Sequence, residues 1–205
     1  MIAKKTIHDS ALFNKAGTLK NPKKAFPIIL EAAEESDLFG QAMVGFCYIR
    51  GLGVARNAEK AVQWLSTAAK RGDAESMYNL ALIFEVGDGV PKNNRQAFKW
   101  YLQAARKGVP KAQTNLALMY LRGIGVRRTP VQGIAWLRKA ARRGDSRAMY
   151  NLGEAYVSGA GGKKNRPAAL RQYRRAAALG NADALKRLRE AGDGEFGKSP
   201  LGGIE

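Results

Sequence analysis

The chain has 205 residues, 45% of them apolar and 25% charged, and its 35 Lys/Arg against 17 Asp/Glu leave a net charge of +18. That apolar share supports a continuous core and excludes disorder for the bulk of the chain. One cysteine, Cys47, excludes an internal disulfide and a thiolate metal cluster by counting, and the one histidine, His8, leaves little for acid–base chemistry.

Residues 1–20 show no clear helix or strand period and read as an N-terminal arm or an extra capping helix. The two early lysines are followed by no apolar run of signal-peptide length, and no stretch approaches the ~18 apolar residues of a membrane span. A cytoplasmic protein without membrane insertion is expected.

From about residue 21 a period of 36 residues takes over and runs without insertion or deletion to about residue 191. Trp64, Trp100 and Trp136 keep it, as do Gly72, Gly108, Gly144 and Gly180, and Leu80, Leu116, Leu152 and Leu188. The alanine pairs at 68/69, 104/105, 140/141 and 176/177 keep it too. The first copy, "NPKKAFPIILEAAEESD", has Ile28 at the tryptophan position, and the fourth has Gln172 there. Terminal copies of a stack are expected to be atypical.

Each unit reads as two helices. In "DAESMYNLALIFEVG" the residues Ala74, Met77, Leu80, Ala81 and Phe84 follow the three-and-four spacing of a buried stripe. Cys47 falls on the inner stripe of its helix, as a small core residue. Glycine turns then close the first helix at Gly51, Gly87, Gly123 and Gly159, where a left-handed cap and a tight reversal favour a residue without Cβ. Polar caps open the second helix at Asn57, Asn93 or Asn94, Thr129 and Asn165; "TPVQ" has capping-box spacing, with Pro130 at the first helical position. Ala97, Trp100, Tyr101, Ala104 and Ala105 form its expected buried stripe, with the tryptophan filling the space beside small alanines. The tail, residues 192–205, reads as flexible.

A helix with Leu and Tyr/Phe, then G-x-G-V, a cap, K/R-A-x-x-W-Y/L-x-x-A-A and Gly resembles the Sel-1-like repeat family, relatives of the tetratricopeptide repeat; residues 72–108 match best. The resemblance implies an all-α, right-handed α-solenoid of stacked antiparallel helix pairs, about 4–5 repeats over residues 21–191. It also implies adaptor roles in bacterial signalling, secretion-linked processes or envelope assembly. Some secreted, cysteine-rich members are linked to β-lactam binding, but their paired cysteines are missing from this sequence.

Catalytic, cofactor and metal sites are not expected. The G-x-G turns follow helices and lack G-x-x-x-x-G-K-[ST], so they reverse the chain and do not cradle phosphate. Glu75 and Glu85 share a helix about 15 Å apart, beyond the spacing of a glycosidase pair. Glu34, Glu35 and Asp37 read as a solvated turn. No enzyme activity, cofactor or small-molecule substrate is expected.

If the first helix of each unit lines the concave face, as in the tetratricopeptide relatives, residues one step off the core stripe face the groove. Phe39, Phe46, Tyr78, Leu82, Lys111, Leu118, Arg147 and Tyr150 are then the partner-binding residues, with Phe46, Leu82 and Leu118 as an apolar strip. A helix phase shifted by one position would place that strip in the core. Residues 109–144 carry eight Lys/Arg and no Asp/Glu, and residues 145–191 carry ten against four. Arg138, Lys139, Arg142, Arg143, Arg174 and Arg175 form the expected basic surface, on columns shared with Lys70, Arg106, Arg71 and Lys107. Like charges about 10 Å apart in water repel by only roughly 0.4 kcal/mol, so a solvated ladder needs no ligand to exist. The expected function is a non-enzymatic protein–protein interaction scaffold or adaptor in a bacterial regulatory or assembly role. Its groove holds a peptide or domain of a partner with an acidic surface. The alternative is nucleic-acid or other polyanion binding through the basic C-terminal half.

Overall fold

The computed structural model describes residues 12–14 and 18–192. Residues 1–11 of the expected arm, His8 among them, and the expected tail beyond Gly192 lie outside the described residues. Among the described residues the regular structure is helical, apart from one isolated antiparallel bridge between Phe13 and Leu19. The helices are α1 (Pro22–Glu34), α2 (Leu38–Arg50), α3 (Ala58–Lys70), α4 (Ala74–Val86), α5 (Asn94–Arg106), α6 (Pro110–Arg122), α7 (Pro130–Arg142), α8 (Ser146–Ser158), α9 (Arg166–Ala178) and α10 (Ala182–Glu190). The chain forms two compact units, one ending at Lys107 and one beginning at Gly108. In the first, α1 to α5 pack each on the next, and α2 also touches α4; in the second, α6 to α10 do the same in sequence.

The punctuation follows from the caps. Asn57, Asn93 and Asn165 each accept a backbone N–H from three residues on, as do Asp37, Asp73 and Asp145 at the first helices. The capping box expected at Thr129 does not form: its hydroxyl donates to the Arg127 carbonyl at 3.1 Å, and no side-chain bond caps α7. Gly51, Gly87, Gly123 and Gly159 end the first helices with φ between 68° and 77°, and their N–H groups donate to the carbonyls of Cys47, Ile83, Met119 and Ala155.

The core matches the expected second-helix stripe at Ala97, Tyr101, Ala104 and Ala105 and departs from it at the tryptophan. Trp64, Trp100 and Trp136 are only partly buried, whereas the next residue in every copy is buried: Ile29, Leu65, Tyr101, Leu137 and Tyr173. Leu65, Tyr101, Leu137 and Tyr173 face a position that stays small. A Cβ on Gly45 would stand 2.6 Å from Leu65 Cγ, and one on Gly153 would overlap the Tyr173 ring; Ala81 and Ala117 hold the same place in the other repeats. In α4 the buried set is Ser76, Met77, Leu80, Ala81 and Ile83, so Ala74 and Phe84 are only partly buried, contrary to expectation.

Candidate partner-binding surfaces

On α2 the residues Phe39 and Phe46 are each 37% exposed. Phe46 therefore does not belong to the core, and its equivalents Leu82 on α4 and Leu118 on α6 are partly exposed as well. Phe39 is partly covered from within the chain, because the Phe13 ring meets it edge-on with centroids 6.0 Å apart. One turn beyond Phe46, Ile49 lines a crevice of about 130 Å³ together with Ala58, Leu82, Ile83 and Val86; the Arg56–Asp88 ion pair sits at its lip. Phe46 and Ile49 are three residues apart and share a helix face. Tyr78 is drawn inward: its ring lies 5.9 Å from that of Tyr101, whose hydroxyl donates to Glu85 at 2.6 Å.

The second unit repeats the crevice with different chemistry. Val157, Lys164, Arg166, Glu190 and Ala191 occupy the positions of Ile49, Arg56, Ala58, Leu82 and Ile83, three periods on, and help line a cleft of about 430 Å³. Arg187 binds Glu154 there through two bonds of 2.9 Å, and Glu154 also accepts the Tyr173 hydroxyl at 2.6 Å. The hydrogen bond to Glu154 raises the Arg187 pKa, and burial, followed by the bond to Glu154, raises that of Tyr173. Tyr150 belongs to this cluster, its ring 5.9 Å from Tyr173, so of the expected anchors in this unit Lys111 and Arg147 stand exposed and Leu118 half-exposed.

The basic columns divide into braces and surface. Arg143 donates to the Gly108 carbonyl at 2.5 Å, and its counterpart Arg71 donates to the Ser36 carbonyl at 2.7 Å and to Gln41 at 2.9 Å. Arg175 reaches the Ala141 carbonyl at 3.3 Å. These arginines follow or end second helices and brace carbonyls about one period back, a role that the sequence hid because most of the acceptors are backbone atoms. Arg138, Lys139 and Arg142 are exposed and Arg174 is partly so; the Lys139 ammonium lies 4.2 Å from the Trp136 ring centroid. Cys47 is fully buried, and burial lifts its thiol to about 11.

Helix pairs repeated in fixed register, with glycine reversals and a core residue handed on from copy to copy, define an α-solenoid repeat protein. The Sel1 repeat family model matches residues 38–73, 74–109, 110–145 and 146–181, and the chain belongs to that family. Among solved structures it is similar to a protective antigen present in uropathogenic Escherichia coli strains and displaying an SLR fold. Identity is 31% and the TM-score 0.80, over 88% of this chain and 39% of that one. The chain thus spans about two fifths of that antigen's length. It is also similar to a Sel1 repeat protein from Oxalobacter formigenes, with 34% identity and a TM-score of 0.76, over 82% of this chain and 70% of that one. An immunity protein from Pseudomonas aeruginosa shares the fold at 22% identity and a TM-score of 0.55, over 89% of this chain and 68% of that one. No curated protein matches the chain. Sel1-repeat proteins are generally protein-interaction scaffolds and typically non-catalytic. No helix among the described residues is long and apolar enough to cross a membrane.

Proposed function

We propose that the chain is a non-enzymatic scaffold that holds a segment of another protein on the first-helix face of its repeats, in a cytoplasmic bacterial regulatory or assembly complex. The observation that carries this reading is the apolar crevice of Ile49, Leu82, Ile83 and Val86, beside the exposed ring of Phe46. Exposed apolar surface with a concavity suited to one aliphatic side chain is what an anchor residue of a partner requires. Lys111 and Arg147, exposed on first helices of the second unit, suit acidic groups. Several chemistry-bearing side chains among the described residues have structural work: Asp37, Asp73 and Asp145 cap helices, Glu85 and Glu154 accept tyrosine hydroxyls, and Cys47 is buried with a raised pKa.

Affinity capture from lysate tests the reading when wild type is compared with Leu82→Glu and Phe46→Asp. Both side chains are partly exposed, so circular dichroism should show unchanged helicity. A specific protein should be held by wild type and lost from both variants. Retention of that protein by both variants would overturn the assignment of this face.

A further inference from the structure

In the second unit the turn after α8 closes onto α7 and leaves a separate cavity of about 250 Å³. Arg138 from α7 and Lys163 from the turn bring its charge, and the Tyr156 hydroxyl stands 3.3 Å from Arg138 Nη2. Val131, Ile134 and Ala155 supply an apolar wall, and no Asp or Glu lines the space. The turn lies close to α7, where a Cβ on Gly161 would stand 2.9 Å from Ile134 Cδ1, and it is tied back to α8 by the Asn165 N–H, which donates to the Tyr156 carbonyl at 2.9 Å.

Only in this copy do both places hold a cation: the equivalent pairs are Leu30 and Ala55, Ser66 and Pro91, and Leu102 and Arg127. Of the unit's described carboxylates, Asp145 caps α8, Glu154 and Glu190 both bind Arg187, and Asp183 lies in the first turn of α10. Helices α7 and α9 also carry Lys139, Arg142, Arg171 and Arg175 and contain no acidic residue. Such a field concentrates anions at the surface and speeds their arrival.

We propose that this cavity receives a carboxylate side chain from an acidic protein segment in which Asp or Glu adjoins a small aliphatic residue. Arg138 and Lys163 take the carboxylate, the Tyr156 hydroxyl donates to it, and Val131 and Ile134 cover the aliphatic neighbour. Charge-assisted bonds of this kind are the stronger class of polar contact. The apolar wall favours protein over nucleic acid, since an aliphatic surface gives a base no face to stack on, and Trp136 already has an ammonium over its ring. This surface is built from a second helix and a turn, so it stands apart from the first-helix crevice.

The test is fluorescence anisotropy of a fluorescein-labelled peptide of alternating Glu and Val, titrated with the full chain. A single-stranded oligonucleotide of equal charge serves as the competing probe. Wild type and Leu82→Glu should bind the peptide alike, whereas Arg138→Glu and Lys163→Glu should each weaken binding by about tenfold or more. The oligonucleotide should bind more weakly and without dependence on the pair. Lys163 lies on an exposed turn, so Lys163→Glu keeps the test decisive even if Arg138→Glu disturbs α7. The proposal is overturned if wild type does not bind the peptide, if Lys163→Glu binds it as wild type does, or if the oligonucleotide binds more tightly through the same two residues. Because Leu82 is not used here, loss of partner capture in Leu82→Glu bears on the first-helix reading alone.

Discussion

Leu137 and Trp136 are adjacent, yet substitutions at the two should differ sharply. Leu137 is fully buried, so Leu137→Ala should lower the unfolding free energy by about 2–5 kcal/mol. Trp136 is partly exposed, and Trp136→Phe should cost about 1 kcal/mol or less. Urea midpoints at constant slope would check both, and equal losses would contradict the core assignment. The sequence could not separate the pair, because two large apolar neighbours both fall within an apolar arc of about 100°. A usable signal lay on the facing helix, where Gly45, Ala81, Ala117 and Gly153 stay small opposite the true core residue. Cys47 gives a second residue-scale expectation. Burial raises its thiol from about 9 to about 11, so the unfolded chain ionises first as pH rises. Its contribution to stability is fully present below about 9 and is lost as pH rises through about 11. A thiol reagent at neutral pH should therefore modify Cys47 only at the rate of opening, and rapid labelling of the folded protein would contradict this.

Among the helices, cap chemistry was legible and its one failure was not. Asn57, Asn93 and Asn165 cap as their residue type suggests, but Thr129 turns its hydroxyl back to Arg127. Asn93→Ala should cost about 1 kcal/mol, Thr129→Ala distinctly less, and Thr129→Asn should stabilise. Thermal or urea unfolding orders the three variants, and equal losses at 93 and 129 would count against the observed caps. The arginine column behaves similarly. Arg143→Ala removes a bond to the Gly108 carbonyl and should cost about 1 kcal/mol, while Arg142→Ala at an exposed position should stay within about 0.5. Periodicity placed both residues in ladders but could not say which one faces a carbonyl 35 residues back.

For the molecule as a whole, the repeat register was the most legible property, since one spacing without gaps fixes helix pairs, reversals and family together. The sites were less so, because they arise where copies differ. The same crevice is apolar at Ala58 and Leu82 but charged at their equivalents Arg166 and Glu190, and only the fold shows that these positions share a wall. The last described helix shows a further departure: Arg189 stands exposed on α10 where the other copies place Gly45, Ala81, Ala117 or Gly153. The central claim is that the first-helix face of the repeats is where a partner docks. Its most direct test is site-specific photo-crosslinking in cells, with a benzophenone side chain at position 82 on α4 or at exposed position 99 on α5. Position 82 should yield a discrete crosslinked protein and position 99 should not; equal crosslinking from both, or none from position 82, would contradict the account.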